Sequence, residues 1–304
     1  MLSCVMRAGA LLATIACFTP AAPAVAAPMP QIGIADQKPD MFGDPRFAAL
    51  GIKHVRLNVS WDALRHDWQR GEIDVWMQAA LQSHAEPLIT FGHSRVNSKH
   101  LPSPAEFRRE FRAFRERYSW VTTFATWNEV NHCGEKTCRR ERLVANYYRN
   151  LRRECPSCTI VAAEMLDLPS MDRWMRNFRK ALGFMPKLWG LHNYVEVNRF
   201  KTTDLRKMLR LMGPRGRLWL TETGGLVRRS NKSATEIPEG LTHAARVTRY
   251  IFDRIVKRHR QIKRVYIYHW NAGPPSTTWD SALITHGGRE RESYRVLERV
   301  LRGG

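Results

Sequence analysis

The feature that most constrains this chain is a cycle. Short apolar or β-branched runs recur at residues 31–35, 54–61, 86–92, 122–131, 158–166, 188–194, 217–224 and 264–272. Amphipathic stretches with helix signals lie between them, near residues 73–84, 104–118, 139–153, 170–182, 203–212, 239–259 and 290–301. One helix start is explicit: Ser103-Pro104-Ala105-Glu106 is a capping box with proline at the first helical position. Eight strands alternating with about eight helices predict an α/β chain folded as a single (β/α)8 TIM barrel over residues 27–304. A doubly wound sheet would need a glycine-rich turn after its first strand, and Gln31-Ile32-Gly33-Ile34-Ala35 has none.

Residues 1–26 stand outside the cycle. Arg7 is their one charge, an apolar run follows from Ala8 to Phe18, and small residues end at Ala24-Val25-Ala26. That is the three-part pattern of a secretory signal peptide cleaved near Ala26, with an apolar run too short to span a bilayer. The expectation is a secreted or extracytoplasmic protein with no stable membrane insertion. A lipid anchor on Cys17 fits less well, because Thr14 sits where an aliphatic residue is usual.

The net charge of +21 invites a nucleic-acid reading first. Export weakens it, and no zinc-finger spacing, aromatic sheet motif or concentrated basic arm is present. Many of the arginines fall at helical spacing, such as Arg108, Arg112 and Arg115, which places them on solvated outer helix faces. The expected partner is a carbohydrate, with an anionic glycan as the version that would use the charge. Nucleic acid is excluded, and a monomer is expected.

Four cysteines follow the leader: Cys133, Cys138, Cys155 and Cys158. In an oxidising compartment they read as disulfides. The helical segment between the two pairs would hold its ends roughly 24 Å apart, beyond the roughly 7 Å that a disulfide spans. Only Cys133 with Cys138 and Cys155 with Cys158 survive. The same distance excludes a four-thiolate zinc site. The spacing of Cys155 and Cys158 also suits a redox pair, but it follows a helix instead of opening one.

Polar residues collect where the barrel mouth should be. The second run turns Val55, Leu57 and Val59 to one side and His54, Arg56, Asn58 and Ser60 to the other. A polar inner row in a barrel strand is costly unless it is hydrogen-bonded near the open top. The third run ends in His93, the fourth in Trp127-Asn128-Glu129, the sixth in His192-Asn193-Tyr194, the seventh in Thr221-Glu222-Thr223-Gly224 and the eighth in His269-Trp270-Asn271. Glu129 and Glu222 each close an apolar run. Two carboxylates facing each other across a barrel mouth are what glycosidic cleavage requires.

With these motifs the sequence resembles the clan A glycoside hydrolases, most nearly families 39 and 5. The resemblance implies a retaining enzyme with Glu129 as general acid/base and Glu222 as nucleophile. It implies Arg56 as the arginine that keeps the nucleophile ionised, Asn128 as the ligand of the sugar 2-hydroxyl, and His192 and Tyr194 as the residues around the nucleophile. Trp270 would be the aromatic floor of the sugar subsite, with His93 and Asn58 as further polar contacts. Asp62, Glu164, Asp167 and Glu196 are unranked candidates for substrate contact. No metal-ligand pattern such as His-Glu-x-x-His occurs and no cofactor is expected. Two other functions remain open: a carbohydrate-binding barrel without catalysis, and a polyanion-binding envelope protein.

Overall fold

Eight staves run parallel around a ring in the computed structural model, which describes residues 29–230 and 236–303. The segment 1–26 read as a leader lies outside the described residues. The strands are β1 (Gln31–Ala35), β2 (His54–Ser60), β3 (Glu86–Gly92), β4 (Thr123–Ala125), β5 (Thr159–Val161), β6 (Glu164–Leu166), β7 (Leu188–His192) and β8 (Arg217–Thr223), with β10 (Ile262–Tyr268). A two-stranded antiparallel ribbon joins β9 (Arg228–Arg229) to β11 (Trp279–Asp280). The sheet order is β5-β4-β3-β2-β1-β10-β8-β7-β6.

The two outermost strands are halves of one stave, which was legible as the single run 158–166. β5 pairs with β4 and β6 with β7. Backbone bonds from Glu164 N to the Trp127 carbonyl and from Ala162 N to the Leu188 carbonyl tie the halves to the opposite neighbours. The ring is therefore closed.

Strand ends differ from the apolar runs where the chain turns toward the mouth. The fourth run leaves the ladder after Ala125, and Glu129 sits in the left-handed region at φ 40° with its carbonyl accepting from His132 N at 2.7 Å. The sixth run stops at His192, and Tyr194 opens a short helix instead.

The helices are α1 (Pro45–Ala49), α2 (Asp67–Gln82), α3 (Pro104–Arg117), α4 (Glu141–Glu154), α5 (Met171–Leu182), α6 (Tyr194–Asn198), α7 (Thr203–Met212), α8 (Leu241–Tyr250) and α9 (Glu292–Leu301). The capping box forms as the sequence demands, with Ser103 Oγ accepting from Glu106 N and the Glu106 carboxylate from Ser103 N. The last turn of α8 continues as a π-helix over Ile251–Val256.

The core has two layers, and β2 shows why. Val55, Leu57 and Val59 pack outward under the helices, whereas the lumen holds a separate cluster of Ala35, Leu88, Ala125, Val161, Trp219 and Tyr266. Arg56 projects inward and is fully buried. Basic residues on the outer helices find acidic neighbours, as in Arg112 with Glu154 and Arg117 with Asp74, both at 2.5 Å. Exposed pairs of this kind contribute little to stability. Both predicted disulfides are formed, Cys133–Cys138 and Cys155–Cys158. No helix among the described residues is long and apolar enough to cross a membrane.

Candidate active site

Arg56 organises the mouth from below. Its Nε and Nη2 reach the two oxygens of Glu164 at 2.9 and 2.5 Å, its Nη1 reaches Glu222 Oε1 at 2.6 Å, and Nη2 also donates to Asn128 Oδ1 at 2.9 Å. Burial opposes its charge, but Glu164 and Glu222 outweigh that and hold the guanidinium even more firmly protonated than usual. Such a cation is an unmovable counter-charge for Glu222. Tyr194 donates its hydroxyl to the other Glu222 oxygen at 3.1 Å. Burial and the nearby Glu222 charge push the Tyr194 phenol well up, so it remains a donor.

Glu129 projects from the turn after β4. Its Oε1 lies 3.0 Å from His192 Nδ1, and one oxygen from each glutamate lies within 4.8 Å of the other and of a His192 ring nitrogen. His192 itself is fully buried at the end of β7, with Nε2 at 3.6 Å from Glu164 Oε2. Burial disfavours its charge, yet Glu222, Glu129 and Glu164 together push the imidazole up to about 10. That shift favours the imidazolium at neutral pH.

Asn128 is fixed from both ends, since its Nδ2 also donates to Glu135 Oε1 at 3.1 Å. Glu135 in turn accepts from the His93 backbone N at 3.2 Å and lies 3.0 Å from its Nδ1. That bond raises the His93 pKa against partial burial. Asn58 points its side chain toward Gly92, and both line a groove of about 850 Å³ with Lys38, His93, Arg95 and Tyr268. A smaller pocket of about 370 Å³ contains Glu129, Glu222, Asp167, Tyr194, Tyr268 and Trp279.

Trp270 is not in the cleft, which corrects the expectation for it. It is 1% exposed, packs edge-on against Phe47 and Tyr294, and donates Nε1 to Asp44 at 3.1 Å. β10 leaves the ladder at Tyr268, so the chain beyond it curls into the outer layer. Tyr268 takes the cleft position and lines both cavities. Of the unranked carboxylates, Glu164 is fully buried against Arg56 and so is no substrate contact. Glu196 caps α7 by accepting from Asp204 N and Leu205 N, and Asp62 accepts from Ser94 Oγ. Only Asp167 among the four lines the smaller pocket.

Sequence reading missed Glu135, Tyr268 and Trp279. Glu135 lies in a loop without periodicity, and its only signal was its place inside the Cys133–Cys138 ring. Among the described residues, Glu129, His192 and Glu222 are the trio that could hold a metal ion. The donor set fits a cation poorly, because Arg56 and the imidazolium already supply the positive charge there.

No family model matches the sequence, and no curated protein matches it. Solved structures do resemble it. A family 39 glycoside hydrolase from Bacteroides cellulosilyticus WH2 aligns over 90% of this chain at 14% identity and TM-score 0.57, and the chain spans 64% of that protein's length. A GH10 endoxylanase from a sugarcane soil metagenome aligns over 90% of this chain and 97% of its own at 15% identity and TM-score 0.61. Native xylanase 10B from Thermotoga maritima aligns over 90% and 95%, at 12% identity and TM-score 0.62. At these identities the likeness is one of fold, and the chain has the (β/α)8-barrel fold of the clan A glycoside hydrolases.

Proposed function

We propose that this protein is an exported, monomeric retaining glycoside hydrolase acting on a β-linked oligosaccharide or polysaccharide. The observation that carries the reading is the pair Glu129 and Glu222, with oxygens within 4.8 Å and each beside its own cation. Retaining enzymes need closely spaced carboxylates, whereas inversion needs roughly 6.5–9.5 Å to admit a water.

The two supports suit two different roles. Glu222, held ionised by Arg56 and oriented by Tyr194, attacks the anomeric carbon as Glu129 gives its proton to the departing glycosidic oxygen. The C–O bond to the leaving group breaks while an ester bond to Glu222 forms. Water then attacks the anomeric carbon, Glu129 takes the water's proton, and the bond from that carbon to Glu222 breaks so that Glu222 leaves as a carboxylate. In this reading Asn128 meets the sugar 2-hydroxyl, and Tyr268, which lines both cavities, borders the sugar ring. Steering of an anionic glycan is the part of the proposal that rests on net charge.

Glu222→Ala should abolish turnover of an activated aryl β-glycoside while leaving sugar binding intact. Azide should restore turnover and yield the α-glycosyl azide. Wild-type protein that binds glycans across a plant, fungal and bacterial panel but turns none over would replace this reading with a non-catalytic binding barrel.

A further inference from the structure

Among the described residues, Glu164 is the one fully buried carboxylate at the mouth that the mechanism above leaves without work. It sits at the start of β6, beneath both catalytic glutamates, and touches both cations that serve them. Arg56 binds it through two nitrogens, His192 Nε2 faces it at 3.6 Å, and Thr90 donates its hydroxyl at 3.0 Å. Room is made for it: a Cβ on Gly190 would meet the Glu164 Cγ at 2.8 Å. The result is one continuous chain of charges, Glu129–His192–Glu164–Arg56–Glu222.

We infer that Glu164 is the positioning residue that keeps two protons on the His192–Glu129 pair, so that Glu129 can act as an acid. The inference rests on the proposed reaction, and the bookkeeping is simple. With Glu129 protonated, Arg56 and the His192 imidazolium balance Glu164 and Glu222, and the buried cluster is neutral. In the glycosyl-enzyme, Glu222 is an uncharged ester and Glu129 has given up its proton; the cluster is neutral again. Each half-reaction thus moves one proton and one bond without leaving net charge in a low-dielectric site, where net charge is costly.

Without the Glu164 charge the same cluster carries +1. Neutrality then comes from shedding one proton from the His192–Glu129 pair. Either the imidazole is neutral, or Glu129 is ionised against the imidazolium and has no proton to give. The neighbouring groups do not replace it: Glu222 is committed to Arg56, and Tyr266 beside Glu164, like Tyr194 and Tyr268 beside Glu222, is a phenol whose pKa burial raises. Burial also works against the Glu164 charge, but Arg56 and His192 overcome it and hold the carboxyl down to about 2. It stays ionised through the cycle.

The first test needs no substrate. In wild-type protein, the His192 ring nitrogens followed by NMR should report an imidazolium at pH 7 and beyond; a neutral ring at pH 7 overturns the inference whether or not the protein is a glycosidase. In Glu164→Gln the ring or the Glu129 carboxyl should lose its proton at least one pH unit earlier, and Glu164→Asp, which keeps the charge, should restore most of that shift. The kinetic test follows from acid catalysis. The alkaline limb of kcat/KM should move to lower pH by one unit or more in Glu164→Gln. Slow-leaving alkyl glycosides, which need the proton, should lose at least tenfold more rate than 2,4-dinitrophenyl glycosides, which do not. Equal losses for both leaving groups, with an unmoved pH limb, would make Glu164 a purely structural anchor. Should Glu164→Gln fail to fold, the wild-type titration and the Asp variant still decide.

Discussion

One residue separates Tyr268 from Trp270, and the pair marks the limit of what a sequence says about side-chain direction. Arg56 was legible because alternation along β2 forces a polar residue into a lumen that tolerates it only with partners. The end of β10 has no such internal check, since the phase is set by where the strand leaves its neighbours and the chain bends toward Asp44. The larger indole was the natural guess for a sugar floor, yet it is the smaller phenol that borders both cavities. Substitution separates the two roles. Trp270→Ala should destabilise the fold by about 3–5 kcal/mol while the surviving folded enzyme keeps its kcat. Tyr268→Ala should lower kcat/KM roughly tenfold or more, worth about 1.4 kcal/mol, with a far smaller change in Tm. Thermal melts beside steady-state kinetics check both, and the reverse pattern would return the floor to Trp270.

Among elements, the short 3-10 turn Cys133–Glu135 shows how a loop comes to support the proposed site. Glu135 reaches back from it to hold Asn128 and His93, and the disulfide to Cys138 closes the ring that carries it. A ring this small constrains the unfolded chain by only about 2 kcal/mol, so its main effect is local. Replacing both Cys133 and Cys138 by Ser should leave the barrel folded while KM rises several-fold, and Glu135→Gln should reproduce much of that rise with the disulfide intact. Circular dichroism and substrate titration read the two effects separately; an unchanged KM in both variants would reduce the ring to a stability device. The cysteine spacing disclosed the pairing, because a helix between the pairs left no other connection. It did not disclose Glu135, whose direction depends on the left-handed turn at Lys136 and on contacts far along the chain. The same contrast holds for the fifth stave: its apolar run was plain, and its division into β5 and β6 depends on neighbours on both sides.

Across the whole molecule, the buried histidines set opposite slopes of stability with pH. His269 is pushed down to about 4 by burial, with Lys38 adding to the effect, and His54 is pushed down to about 4 by burial and Arg264. An unfolded histidine titrates near 6.5, so below that pH the unfolded chain binds protons that these two sites refuse, and stability falls as pH drops from ~6.5 through about 4. His192 runs the other way. Its raised pKa contributes stability that is fully present below ~6.5 and lost as pH rises through about 10. Tm should therefore peak near pH 6–7, and the double variant His54→Asn with His269→Asn should flatten the limb between pH 6.5 and 4.5, above the range where Glu164 takes up its proton. An acid limb of unchanged slope in that variant would assign the loss to carboxylates instead.

The closed ring also sets a schedule. β1 hydrogen-bonds to β10, with Gln31 opposite Arg264, so the first stave of the barrel waits for the last. Contacts this distant in sequence form late and slowly. While the chain is being made, its first strand has no complete barrel to settle into until some 230 residues more have emerged. For the export proposed above that delay is a gain: the topology that finally locks the mouth together is the one that keeps the nascent chain loose until its last strand is available.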